Sequence, residues 1–516
     1  MSGTKTRQGK GRQPPPAVAR GPEVGGLLEK LRHLDLKGFS GLRVLVAGDF
    51  MLDEYIWGKV ERISPEAPVL VVDVDRETHT LGGAGNVVNN LVALGAQAEV
   101  LGLVGNDNPA AILRKELTRL GVNPEGLVSD PQRRTTRKTR VIGDFQQVVR
   151  IDRETRALSG PEFAEAARKY LESRLPALQA IVLSDYAKGS LNTPLLKDLI
   201  RLGRARGLPV VVDPKGPDYR RYARATLVTP NRKEAEQAVG YCLAPRENLV
   251  RAGHFLRRGL SLEALLITLG PEGMMLFPKK GPELAIPTRA REVFDVSGAG
   301  DTVTAVLALG LAQWGDPALA AALANVAAGV VVGKVGTAPI FRTELERELN
   351  LRGTRLEEKL VSLQELGLRV PYLQGQGKKV VFTNGCFDLL HVGHIKFLED
   401  CRRLGDVLVV ALDSDASVRQ VKGEGRPVIG ERERLRMLAA LEGVDYVTLF
   451  SSEELTGILA SLKPDILTKG SNYPEEQVAG REVVQGYGGQ VVLLPIRESV
   501  SVSGLIQRIR QGEEGP

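Results

Sequence analysis

From Arg43 onward, short β-branched runs alternate with amphipathic stretches, and this rhythm constrains the fold more than any other feature of the chain. "RVLVAGD", "AEVLGLVG", "AIVLSD", "PVVVDP" and "EALLITLG" read as strands, each closed by Gly, Asp or Pro. Residues 110–120, 161–174 and 193–206 lie between such strands and read as helices. Strands alternating with helices imply a parallel sheet covered on both faces. "PVLVVDVD" and "RKTRVIGDFQQVVRID" lack intervening helices and predict an appended antiparallel flap. The uncharged stretch 317–333 is short, rich in small residues and interrupted by Asn325, so a buried helix explains it better than a membrane span.

The rhythm stops near residue 343. "TELERELNLRGTRLEEKLVSLQELGLRV" is charged and helical, and "PYLQGQGKK" follows as a loop, so 343–377 reads as a helical linker. A second series then begins: strand "KVVFTNG", a helix from His394, strand "VLVVALD", a helix over 430–441, and strands "DYVTLF", "DILTKG" and "QVVLLP". The expected organisation is a basic, largely disordered extension over 1–40, an α/β domain over 41–342, the linker, and a smaller α/β domain over 378–511. At 516 residues the chain can bury more than one core.

Charge and cysteine usage exclude several classes. Residues 1–22 hold five Lys or Arg and no acid, which accounts for most of the net charge of +7. The remainder is close to neutral, against a nucleic-acid partner. No apolar run follows the basic N-terminus, against a secretory signal. Cys242, Cys386 and Cys401 show no Cys-x-x-Cys spacing, which suits a reducing cytoplasm.

The first chemical constellation is "EVFDVSGAGDTVTAVLALGLA", a Gly-Ala-Gly-Asp turn ahead of an apolar helix. The N–H groups of Gly298, Ala299, Gly300 and Asp301 at that helix start would form an anion hole. Asp301 is either a plain helix-start acid or a general base for a hydroxyl attacking a phosphoryl group. Spacing leaves both open. "LGGAGNVVNNLVALGA" contributes Gly82, Gly83 and Asn86 at another helix start, and "GDFMLDEY" puts Asp49 and Asp53 beyond the first strand. "VTPNRKEAE" sets Asn231 and Glu234 three apart around Arg232 and Lys233.

Taken together, these segments resemble the ribokinase-like sugar kinases over 43–342. "RISPEAPV", "SDYAKGSL", "VVDPKG" and "GKVGT" bring the resemblance closer, to the kinase half of the bifunctional heptose 7-phosphate kinase / heptose 1-phosphate adenylyltransferases. The resemblance implies that Asp301 is the base and that Gly298 to Gly300 stabilise the transferring phosphoryl group. Asn231, Arg232, Lys233 and Glu234 would serve ATP and its Mg²⁺, with Glu234 nearest the metal. Asp49, Asp53, Gly82, Gly83 and Asn86 would hold sugar hydroxyls, and Lys138 and Arg140 on the flap would meet the sugar phosphate. Lys188 and Lys215 lie in the family's motifs without an assigned role.

"TNGCFDLLHVGH" holds two of the five histidines, His391 and His394. Zinc on a helix usually takes histidines four apart with a Glu between. Here the spacing is three and no third ligand is near, so a phosphate cradle at a helix N-terminus is the better reading than zinc. The stretch resembles the His-x-Gly-His nucleotidyltransferases, and "LDSDASVRQVKGEGRPV", "ERLRMLAALEGVD" and "PDILTKGSNY" extend the match over 378–511. It implies a Rossmann-like domain with His391 and His394 at the ATP phosphates. Asn384, Gly385, Phe387 and Asp388 would bind nucleotide, and Lys422 and Arg434 would make further phosphate contacts. The chain departs from the family at Ser471-Asn472-Tyr473 and Ser501-Val502-Ser503, so no contact is assigned there.

Both resemblances imply one bifunctional enzyme of ADP-heptose and lipopolysaccharide core biosynthesis, using Mg²⁺ with ATP. The alternatives are a fusion acting on another sugar phosphate or nucleotide, and an inactive nucleotide-binding regulator. Exposed flap edges imply a homodimer, and no membrane partner is expected. The kinase would yield a bisphosphate while the transferase requires phosphate at the anomeric carbon alone, so a separate phosphatase is expected between them. Asp73-Val74-Asp75 lacks a hydroxyl residue two positions on and reads as a solvated strand face rather than a phosphatase site.

Overall fold

The computed structural model describes residues 22–143, 146–288, 293, 295–334, 336–349, 356–471 and 474–495. The first unit contains β1 (Arg43–Gly48), β2 (Phe50–Ile63), β3 (Leu70–Gly83), β4 (Gln97–Val104), β5 (Leu127–Ser129), β6 (Thr136–Gly143) and β7 (Gln146–Arg153). It continues with β8 (Ala180–Ser184), β9 (Val210–Asp213), β10 (Leu227–Val228), β11 (Ala264–Thr268), β12 (Met274–Pro278) and β13 (Leu284–Ile286).

Among the described residues, nine of these strands form one sheet in the order β13-β12-β11-β10-β9-β8-β1-β4-β5. β12 and β13 run antiparallel at one edge and the other neighbours are parallel. Continuous Val/Ile/Leu runs such as β8 are buried throughout because helices cover both faces. The helices Ala299–Trp314 and Pro317–Val331 pack on one face, and Pro161–Arg174, Thr193–Ala205 and Arg246–Gly259 on the other. Strand order reverses between β1 and β8, so a crevice opens where Asp49 and Asp185 follow their strands.

The flap has the order β3-β2-β6-β7. Its two hairpins are antiparallel as expected, but β2 pairs with β6 in parallel. β1 and β5 run parallel and deliver the chain to the same end of the main sheet, so β2 and β6 leave it in the same direction. β2 continues well beyond "GDFMLDEY" as a fourteen-residue strand. Its charges are paired: Glu54 accepts from Arg137 and Thr139, and Asp53 from Arg140.

Residues 22–41 correct the expectation of disorder. A helix (Pro22–Leu31) and a short turn (Lys37–Gly41) carry Leu31, Leu36 and Phe39 into the core, with the Phe39 ring 5.6 Å from Trp314. These apolar residues follow the basic tail and outweigh it. The expectation for 1–21 lies outside the described residues. Of the segment 343–377, the described residues form the helices Arg342–Glu348 and Leu363–Gly375 with a short turn (Glu357–Lys359) between them. In the helix Leu363–Gly375, Leu368 joins the core of the first unit while Leu366, Val370 and Leu373 join a core of the second. Arg369 lies over the rings of Phe341 and Tyr446, and Arg76 of β3 donates to the carbonyls of Gln374 and Gly375.

The second unit is a parallel sheet of β14 (Val380–Gly385), β15 (Val407–Asp413), β16 (Tyr446–Phe450), β17 (Ile466–Gly470) and β18 (Gln490–Leu494), ordered β16-β15-β14-β17-β18. The order reverses between β14 and β17. Asn384 and Lys469 stand side by side at that switch point. No helix among the described residues is long and apolar enough to cross a membrane.

Candidate active sites

The first site is built on the helix Ala84–Ala93, whose Asn86 and Asn90 lie one turn apart and fully buried. Asn90 Nδ2 donates to the Asn86 carbonyl, while its Oδ1 accepts from Thr302 Oγ1 and the Ile340 N–H. Asn86 is thereby held with its Nδ2 donating to Asp301 Oδ2 at 2.8 Å. The Tyr186 hydroxyl donates to Asp301 Oδ1, also at 2.8 Å. Burial pushes the Asp301 carboxyl up to about 6, against the lowering effect of these two hydrogen bonds. Such a group is ionised at neutral pH yet basic enough to accept a proton. This favours the general-base reading over a plain helix-start acid.

The anion hole is smaller than expected. The Ala299 N–H turns back to the Val296 carbonyl at 3.3 Å, which leaves Gly300 and Asp301 as the first-turn donors. Gly298 takes the left-handed conformation at φ 79°, and a side chain there would collide with Asn86 Nδ2.

Asp49 corrects a second expectation. It is 1% exposed, and its two oxygens accept the N–H groups of Tyr186, Lys188 and Ser190. It ties down the 186–190 loop, which takes three of the roughly four acceptor positions of its carboxylate. Gly82 and Gly83 make room rather than contacts: a Cβ on Gly82 would strike Asp53 Oδ2, and one on Gly83 the Asp49 carbonyl. Asp53 remains at the crevice, paired with Arg140 at 2.8 Å. Lys138 lies 5.6 Å from the centre of the Tyr186 ring, its ammonium pushed down by burial and partly restored by Asp53.

A cleft of ≈ 210 Å³ adjoins this group, lined by Asp185, Tyr186, Asp213, Lys215, Asn231, Glu234 and Gly300 among others. Asn231 and Glu234 form a capping box on the helix Arg232–Val239, each side chain accepting the other's backbone N–H. The second Glu234 oxygen binds Lys215 Nζ at 2.8 Å. The Asn-x-x-Glu spacing is therefore first a helix start. Arg232 pairs with Glu272 and Lys233 is exposed, which removes both from the cleft wall. Asp213 was missed although "VVDPKG" contains it. Its carboxyl is pushed well above the ordinary range by burial, then by Asp301 and Glu234, against the effect of Lys215. A cation would relieve that cluster, so Asp213 and Glu234 fit a metal carried on nucleotide phosphates. Tyr186 was missed as well; "SDYAKGSL" carried no signal for its contact with Asp301.

The second site lies at the C-terminal end of β14. His391 caps the helix Val392–Arg402, and its ring stands 3.9 Å from that of His394. Burial, His391 and Lys422 push His394 down to about 4. Without ligand it is therefore neutral at neutral pH and can donate a hydrogen bond. Phe387 packs its ring 5.4 Å from His394 and against Gly385, so it supports the cradle from the core.

Two further expectations are corrected here. Arg434 is fully buried and donates to the carbonyls of Ile429 and Cys386 and to Asp415 Oδ1. Asp388, 1% exposed, accepts from Arg426 and from the N–H groups of Val428 and Ile429. Each ties a loop in place with three hydrogen bonds, a positioning role that the sequence reading did not give it. Lys422 is exposed and acts on His394 and Cys386. The side-chain oxygen of Asn384 is buried with no hydrogen-bond partner. Ser471 is described; Asn472, Tyr473 and Ser501-Val502-Ser503 lie outside the described residues.

Comparison with known proteins agrees with this division. Residues 42–344 match the model of the pfkB family carbohydrate kinases, and residues 382–506 match the cytidylyltransferase-like family. The Bifunctional protein HldE of Desulfatibacillum aliphaticivorans is 50% identical over 94% of this chain and 99% of its own length. The chain belongs to the HldE family. HldE of Citrifermentans bemidjiense is 51% identical over 91% of this chain and 96% of its own length. Phosphofructokinase-2 from Escherichia coli, at 17% identity, covers 60% of this chain and 98% of its own with a TM-score of 0.50, a likeness of fold. As a member of the HldE family the chain is an enzyme that joins a carbohydrate kinase to a nucleotidyltransferase.

Proposed function

We propose that the first site phosphorylates the anomeric hydroxyl of heptose 7-phosphate from ATP, giving the 1,7-bisphosphate. The second transfers adenylyl from ATP to heptose 1-phosphate, giving ADP-heptose and pyrophosphate. The observation that carries the first step is the buried Asp301 carboxylate, held between Asn86 and Tyr186 with its basicity raised. Asp301 takes the proton of the attacking hydroxyl. The N–H groups of Gly300 and Asp301, with the helix dipole behind them, stabilise the charge growing on the transferring phosphoryl group. Asp53 orients sugar hydroxyls, and Lys138 and Arg140 face the sugar phosphate from the flap. Asp213 and Glu234 would lie beside a Mg²⁺ carried on ATP, which would supply shielding of the phosphate charge.

In the second site the sugar phosphate is already a nucleophile, so positioning and stabilisation of the pentacoordinate phosphorus suffice. His391 and His394 donate hydrogen bonds to the ATP phosphates at the start of their helix. Between the two steps a separate phosphatase removes the distal phosphate.

The chain acts in the cytoplasm as a homodimer. Leu70 and Val74 on edge strand β3, and Val149 and Ile151 on edge strand β7, are exposed apolar residues that fit pairing of two flaps. Mass spectrometry of products formed from a panel of sugar phosphates with ATP or CTP tests the assignment. Heptose 1,7-bisphosphate and ADP-heptose are expected; preferential turnover of another sugar, or of CTP, would replace it.

A further inference from the structure

Lys469 belongs to "PDILTKGSNY", a stretch to which the reading above gives no role. It stands at the end of β17, beside Asn384 at the end of β14, where the strand order of the second sheet reverses. Ligands of open α/β sheets enter at such a point. Its Nζ donates to the Asn384 carbonyl at 2.9 Å; the Asp413 carboxylate acts on it through space, and no ion pair to Lys469 forms among the described residues. An ammonium has three N–H donors, and a mostly buried cation without a paired anion is costly unless a ligand supplies the charge.

The other cations of this site are poorly placed to neutralise a ligand's phosphate. Arg434 is committed to Asp415 and two carbonyls, Arg426 to Asp388, and His394 is neutral. Lys422 is exposed to solvent, where its charge is screened. Cys386, which donates to Asp413, is within electrostatic reach of both Lys422 and Lys469, and Lys422 also acts on His394, so these groups gather at one end of the sheet. The neighbouring Asn384 side-chain oxygen, buried and without a partner, marks the same place as built for a polar ligand.

We propose that Lys469 holds a phosphate oxygen in the adenylyl-transfer complex, either of the ATP α-phosphate or of the acceptor sugar phosphate. This rests on the transferase reading above. The ammonium is preorganised at a low-dielectric strand end, so it stabilises the negative charge gathering at phosphorus more than the ground state. No bond to Lys469 forms or breaks. The sugar phosphate oxygen bonds to the α-phosphorus as the bond to pyrophosphate breaks, and pyrophosphate carries off the electron pair.

Lys469→Met and Lys469→Arg in the full chain test the role through pyrophosphate release, with kinase turnover of the same preparations reporting the fold. Lys469→Met is expected to lower transferase kcat/KM by about 100-fold while kinase turnover stays within two-fold, and Lys469→Arg to lose less. A loss carried by kcat assigns the α-phosphorus in the transition state; a loss carried by a rise in KM for the sugar phosphate assigns the acceptor. Burial pushes the ammonium below the usual lysine range, so the parent should lose activity on the alkaline side and Lys469→Met should lack that limb. A Met variant within three-fold of the parent overturns the proposal. A parent that makes no nucleotide sugar refutes the transferase reading instead. Calorimetry with AMP, which carries the α-phosphate, and with inorganic phosphate, which stands for the acceptor, then decides: binding of either at least ten-fold weaker in Lys469→Met supports the assignment, and equal binding of both overturns it.

Discussion

Replacing Tyr186 by Phe removes one hydrogen bond, at 2.8 Å, from the Asp301 carboxylate and leaves the ring in place. That bond favours the ionised form, so its loss must raise the proton affinity of Asp301. A hydrogen bond to a charged group contributes about 1.5–3 kcal/mol and one pH unit corresponds to about 1.4 kcal/mol, so the midpoint should move upward by about one to two pH units. In the parent, Asp301 titrates at about 6. Kinase kcat/KM, which reports the free enzyme, should be flat above that pH and fall ten-fold per unit below it. In Tyr186→Phe the whole acid limb should shift into the neutral range, with the high-pH plateau retained within a few-fold. ADP release with heptose 7-phosphate between pH 5 and 9 measures both. The substrate's own phosphate titration is common to the two profiles and cancels in their difference. An acid limb that stays where the parent has it would refute the role of Tyr186 in setting the base. Transferase activity of the same protein should not change.

Asp301→Asn should cost the kinase about 10²–10⁴-fold and spare adenylyl transfer, whereas His394→Ala should do the reverse; separate assays of the two half-reactions check both. Asp49→Ala should act on stability, because three backbone N–H groups at 186–190 lose their acceptor; calorimetry should show a fall of at least about 2 kcal/mol. Arg434→Met should likewise destabilise, by about 3 kcal/mol, since Asp415 keeps part of its exposure to water. The transferase KM for ATP should stay near the parent's.

The alternating rhythm from Arg43 made both sheets legible, because strands buried on two faces must be apolar throughout. β2 was illegible past "GDFMLDEY": its acids looked like loop residues, and their partners on β6 lie 83 to 87 residues away. The parallel β2–β6 pair was hidden for the same reason. Asp301, His391 and His394 could be placed at helix starts from the sequence because glycine stands within two residues of each. Asp49, Asp388 and Arg434 fell in motifs equally well, yet local spacing does not distinguish a residue that binds a ligand from one that holds the loop beside it. The capping box of Asn231 and Glu234 was visible in Asn-x-x-Glu and was read as chemistry first. Lys469 and Tyr186 depend on distant strands meeting at a switch point, which no single segment records.

The central claim is that one chain carries two separate sites whose reactions do not join without help from outside. Phosphorus nuclear magnetic resonance follows it directly, with purified protein, heptose 7-phosphate and excess Mg-ATP observed before and after a bisphosphate phosphatase is added. The account predicts accumulation of the 1,7-bisphosphate alone, then ADP-heptose and pyrophosphate once the phosphatase is present. ADP-heptose appearing before that addition, or no bisphosphate at all, would contradict it.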